Sequence, residues 1–137
     1  MKLLQALFLC IFLSFGIQKT TAQVIRYKAD SFSVSEKNSK GKWSDWTKPE
    51  TSTVMITLDG KKDRIVVGSK EIQVYTIVKY GEKTITKYDE TIPLECADID
   101  GRPCTIFFIT RKNQNNRKQF YISLKNMRIV YNVAEIL

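Results

Sequence analysis

The chain has 137 residues, 22 basic and 14 acidic, and no histidine, for a formal charge of +8 at pH 7. That length suits one domain with a modest core. The lack of histidine removes the commonest general base and the commonest metal ligand together, and with no nucleophile motif present the composition argues against an enzyme.

Residues 1–22 read as a secretory signal peptide: Lys2, a mostly apolar run Leu3–Ile17, and small residues Thr20-Thr21-Ala22 before Gln23. Cleavage is expected after Ala22. The apolar run, about fifteen residues, falls short of the roughly twenty that a spanning helix needs. Leu9 is bulky where a lipoprotein site before Cys10 wants a small residue. The expected product is an exported domain, 23–137, periplasmic or secreted to the cell surface, with no integral membrane segment. Cleavage takes away Lys2, Lys19 and Cys10, lowering the charge to +6 and leaving Cys96 and Cys104. In an exported protein an even pair reads as a disulfide.

From Val24 onward apolar residues alternate with period two, and no segment shows a helical period. Val24–Ala29 and Phe32–Ser35 form one bent strand or two short ones. Ser35–Thr53 is non-periodic and reads as a long loop carrying a short aromatic strand around Trp43 and Trp46. Val54, Ile56 and Leu58 open a hairpin that turns at Asp59-Gly60-Lys61-Lys62-Asp63 into Ile65 and Val67. Ile72–Tyr80 is the next strand, Gly81-Glu82 turns the chain, and Lys83–Leu94 follows. Cys96–Cys104 is a hairpin: Asp98 suits the first turn position, Gly101 the left-handed one, and counting outward sets Cys96 opposite Cys104. Thr105–Ile109, Phe120–Leu124 and Met127–Val133 complete the count, with Asn113–Asn116 a polar turn. The expected fold is all-β, an antiparallel meander of eight or nine strands. Several strands are apolar on both faces, which favours a small barrel, lipocalin-like in outline, or a barrel-like sandwich over an open sheet.

Trp43 and Trp46 are the candidate ligand-binding residues, since a tryptophan ring offers a broad apolar face with one donor. Three residues apart on a strand, they are expected to point to opposite faces, one inward and one outward. The cations gather at turns: Lys37, Lys40 and Lys42; Lys61, Lys62 and Arg64; Arg111, Lys112, Arg117 and Lys118. They are not interleaved with aromatic residues as single-strand nucleic-acid binders prefer, so no nucleic acid is expected. Asp89, Glu90 and Glu95 lack the arrangement of a hydrolytic pair, and Glu95, Asp98 and Asp100 lack calcium-loop spacing. Neither a cofactor nor a metal is expected.

Several segments together carry a resemblance: the leader ending Thr21-Ala22-Gln23, Gly41-Lys42-Trp43-Ser44-Asp45-Trp46, Lys62-Asp63-Arg64-Ile65, Gln73-Val74-Tyr75, Cys96-Ala97-Asp98-Ile99-Asp100-Gly101 with Cys104, and Val130-Tyr131-Asn132-Val133. Over most of the mature chain the sequence resembles a group of small exported proteins of Bacteroidetes-type bacteria. The resemblance implies export and a β fold, and it assigns no activity or site residue. The leading functional expectation is a non-enzymatic binding or accessory domain for a small molecule, glycan or protein. The alternatives are a lipocalin-like carrier of a small apolar ligand and an interaction protein for an anionic envelope polymer.

Overall fold

The computed structural model describes residues 23–136, so the expected leader lies outside the described residues. Ten strands follow in chain order: β1 Val24–Glu36, β2 Glu50–Thr51, β3 Met55–Asp59, β4 Arg64–Gly68, β5 Ile72–Tyr80, β6 Thr84–Ile85, β7 Asp89–Ala97, β8 Pro103–Arg111, β9 Arg117–Ser123 and β10 Met127–Ile136. Eight of them form an antiparallel ring in the order β1, β3, β4, β5, β7, β8, β9, β10, and β10 pairs back onto β1. The two-residue strands β2 and β6 pair onto β1 and β7. The fold is therefore a closed barrel, which leaves no free edge along the ring. None of the described helices is long and apolar enough to cross a membrane.

Closure follows from how the strands bend. β1 pairs with β10 from Arg26 to Glu36, and a register shift between Ala29 and Ser31 interrupts the ladder. β5 changes partner midway: Ile72–Thr76 pairs with β4, and Thr76–Tyr80 pairs with β7 across a second shift at Ile77/Lys79. Such irregularities increase local twist and turn corners in small barrels. Inward alternation then brings Ile56, Ile65, Val67, Ile106, Phe120 and Ile122, all fully buried, onto one axis. Tyr27, Phe108 and Phe120 form a ring cluster with centroids 5.1–5.6 Å apart, and Phe32 meets Tyr131 at 6.0 Å. Side chains thus fill this stretch of the barrel, as eight strands permit.

Two local expectations need correction. Lys83–Leu94 is not one strand: Thr86 bonds back to Asp89 and makes a turn between β6 and β7, and β7 runs on to Ala97. The aromatic stretch of the long loop is also not a strand. β1 continues to Glu36, Trp43 makes a single bridge with Lys37, and the short strand lies further on at Glu50–Thr51.

The β7–β8 hairpin matches its expected register, with Ala97 opposite Pro103 and Cys96 opposite Cys104. Gly101 takes φ +80°, and the Gly101 N–H donates to Asp98 O at 2.9 Å. The expected disulfide is not formed, and both buried cysteines are free thiols. Burial pushes Cys96 up to about 12 and Cys104 up to about 11. Both therefore stay protonated at neutral pH.

Candidate functional site

Trp43 and Trp46 lie on one side of the barrel wall, both outside it. Their loop is strapped to β1 by hydroxyl groups standing in for strand partners. The Glu36 N–H donates to Ser44 Oγ (2.9 Å), the Ser44 N–H to Glu36 O (2.8 Å), and Ser35 Oγ to Ser44 O (2.6 Å). The Val34 N–H donates to Thr47 Oγ1 and the Thr47 N–H to Val34 O, each at 2.9 Å. Asn38 shapes the tip, its Oδ1 accepting from the N–H groups of Lys40 and Lys42, while Gly41 supplies a positive φ of 78°. The hydroxyls take over part of the pairing that a regular strand would supply, so strict in-and-out alternation does not govern the tryptophans. The expectation of one ring inward and one outward fails for that reason.

The Trp46 ring sits edge-to-face against Tyr121 of β9 (5.7 Å, 70°), which in turn meets Phe107 of β8 (5.8 Å, 75°). Trp46 remains 43% exposed. Because successive rings are close to perpendicular, the row is stepped. Trp43, half-buried, is covered by the Arg128 guanidinium 3.7 Å from its centroid, with Lys37 Nζ 5.8 Å away. A guanidinium over indole is a favourable cation–π pair.

Beside the aromatic row runs a polar one. Asp89 accepts from Arg111 Nη1 (2.8 Å), Arg111 Nε donates to Gln119 Oε1 (2.9 Å), Gln119 Nε2 to Asn132 Oδ1 (2.8 Å), and Asn132 Nδ2 to Ser31 Oγ (2.9 Å). These residues belong to β7, β8, β9, β10 and β1 and share the outer face with Phe107 and Tyr121, since register pairs Ile109 with Gln119 and Phe107 with Tyr121. The chain fixes each amide's orientation and leaves lone pairs and N–H groups for a ligand.

Two open clefts lie at the barrel end that holds the β7–β8 and β9–β10 turns. One, about 830 Å³, is bounded by Asp98, Arg102, Pro103, Leu124, Asn126 and Met127. Its neighbour, about 450 Å³, shares Pro103, Leu124 and Lys125 with it and reaches Cys96 and Cys104. Neither tryptophan lines them. Among the described residues no cluster of three or more His, Cys, Asp or Glu side chains is gathered for a metal ion.

Sequence reasoning reached the two tryptophans and missed Phe107, Tyr121, Gln119, Asn132 and Arg128. The signal for Phe107 and Tyr121 was present as apolar residues on both faces of β8 and β9. Nothing local marks the Gln119–Asn132 pair, which exists only through β9–β10 register. No protein family model, curated protein or solved structure matches the chain.

Proposed function

We propose that this protein is an exported, non-enzymatic binding domain that takes a glycan on its outer wall. The observation that carries the reading is the juxtaposition of an aromatic row (Trp46, Tyr121, Phe107) with an oriented amide row (Gln119, Asn132) on the solvent side of the barrel. A barrel needs no large rings there for its own core, and a sugar presents what the two rows accept: apolar C–H faces for an exposed ring, and hydroxyls for planar amides. Trp43, held by Arg128, extends the same wall toward the loop tip. The aromatic cluster inside the barrel gives the carrier reading no support.

Both tryptophans of the chain lie at this wall, so intrinsic fluorescence reports on it directly. The test titrates the protein expressed from Gln23 with chitohexaose, xylohexaose, dextran and a heparin hexasaccharide. Saturable binding to at least one, weakened about two- to tenfold by Trp46→Ala and by Asn132→Ala, is expected, the size following from the roughly 0.5–1.5 kcal/mol of a stacked ring or a neutral hydrogen bond. Absence of binding to all four, or binding that neither substitution alters, overturns the reading.

A further inference from the structure

The charge of the barrel is unevenly placed. In this ring, successive turns alternate between two ends. The end where the chain enters holds the segments 24–28, 59–64, 79–90, 111–118 and 134–136, with twelve Lys or Arg against six Asp or Glu. The opposite end, segments 36–54, 69–71, 95–105 and 123–128, holds eight against seven. Asp30 is the one charged residue left over, so the chain-entry end carries charge equal to the whole +6 of residues 23–136.

Among the described residues, four of the six carboxylates at that end are already engaged, and Glu82 and Glu135 are the two that are not. Asp59 pairs with Arg64 (3.7 Å), Asp89 with Arg111 (2.8 Å), and Glu90 with Lys83 (3.1 Å) and Lys112 (3.9 Å), while Asp63 accepts from the Tyr80 hydroxyl (2.8 Å). Among the described residues Lys61, Lys62, Lys79, Lys87 and Arg117 have no acidic partner. Apolar side chains stand among these cations: Ile85 is 62% exposed and Tyr88 54%, with Val24, Tyr80 and Ile136 also exposed at this end. Ile85 and Tyr88 are carried on a flap fastened to the barrel. Gly81 N–H donates to Pro93 O (2.8 Å), β6 pairs with β7, Lys112 Nζ donates to Thr86 O (3.1 Å), and the Lys112 N–H donates to Tyr88 O (2.7 Å). Lys87 Nζ lies 5.5 Å from the Tyr88 ring centroid.

We propose that the chain-entry end is a membrane-docking surface that seats the barrel on an anionic lipid bilayer, with Ile85 and Tyr88 entering the interface and Lys61, Lys62, Lys87 and Arg117 over the headgroup phosphates. Cations alone would suit any polyanion. The exposed isoleucine and tyrosine decide for a bilayer, because a soluble polyanion offers no apolar phase, whereas a bilayer interface takes up both kinds of side chain. This surface is distinct from the wall carrying Trp46 and leaves that wall open.

All ten strands lie within residues 23–136, so protein expressed from Gln23 keeps the barrel and lacks the apolar leader that would bind lipid by itself. The test is co-sedimentation with vesicles of phosphatidylcholine alone and of phosphatidylcholine with phosphatidylglycerol. Binding is expected to the anionic vesicles and to fall with salt. The double variant Lys61→Ala/Lys62→Ala is expected to bind about thirtyfold more weakly, from roughly 1 kcal/mol for each cation. Ile85→Ser/Tyr88→Ser is expected to lose about tenfold, and Trp46→Ala to bind as the parent does. Circular dichroism confirms that each exposed-site variant folds. No binding to anionic vesicles, or equal binding to neutral ones, refutes the proposal. So does a dependence on the lysines with none on Ile85 and Tyr88, which would assign the surface to soluble polyanions.

Discussion

Replacing Phe120 with alanine tests whether this barrel is filled or hollow. The Phe120 side chain has no exposed surface and packs against Tyr27 at 5.2 Å and Phe108 at 5.1 Å. Truncating a fully buried phenylalanine costs about 3–5 kcal/mol, part of it the cavity left behind. The two ring pairs lost here place the expected cost near the middle of that range, about 4 kcal/mol. Domains are stable by about 5–15 kcal/mol, so the variant should fold but with little margin. Urea unfolding followed by circular dichroism measures this. For a slope of about 2 kcal/mol/M the midpoint should fall by about 2 M with the slope unchanged. The variant should also gain affinity for a small apolar dye that the parent does not take up, because the new void is lined by apolar side chains. A loss under about 1.5 kcal/mol, together with dye uptake by the parent, would refute the reasoning: the parent interior would already hold a void, and the carrier reading would regain its footing.

Gly81 needs the absence of a side chain, since an added Cβ would come 2.5 Å from Pro93 Cγ and 2.7 Å from the Pro93 carbonyl oxygen. Gly81→Ala should therefore cost about 1–3 kcal/mol in the same unfolding assay, and a cost below about 0.5 kcal/mol would show that the flap and β7 do not meet this closely. Stability should also fall in alkali. Cys96 and Cys104 rise from an ordinary 9.0 to about 12 and about 11, mainly through burial, and Tyr27 and Tyr80 rise from 10.0 to about 12, again with burial first. Raised values mean that the folded protein favours the neutral forms, so this stabilisation is whole below the ordinary values and is lost as pH climbs through the window from 9.0 to about 12. Thermal melts should be flat from neutrality to near pH 9 and decline above it, and a decline beginning at neutrality would contradict the assignment. Iodoacetamide should leave both cysteines untouched in the native protein at neutral pH and label both after unfolding without reductant, as read by mass, and failure to label the unfolded chain would show the thiols already joined.

Period-two alternation made the strands legible, and the Asp98–Gly101 turn made the Cys96–Cys104 register legible, because both depend on neighbours along the chain. The turn chemistry of Thr86 was hidden inside a run that otherwise alternates, and the hydroxyl straps of Ser44 and Thr47 gave the tryptophan loop an irregular path that no pattern announces. The outer wall was half visible: apolar residues on both faces of β8 and β9 marked extra burial or a surface, and only the ring order of strands showed which.

Local residue chemistry alone thus determined an all-β chain with short turns, basic turn tips, no histidine and two facing cysteines. Tertiary structure alone decided that the sheet closes, that both tryptophans stand outside it beside Tyr121 and a Gln119–Asn132 ladder, and that the basic turns collect at one end. Those facts depend on pairings between residues far apart in the chain, from Ser31 and Asn132, 101 positions apart, to Arg26 and Ile136 at the far end of the same β1–β10 ladder. Strand register across such distances is set by the closing of the whole ring, which no local stretch of sequence encodes.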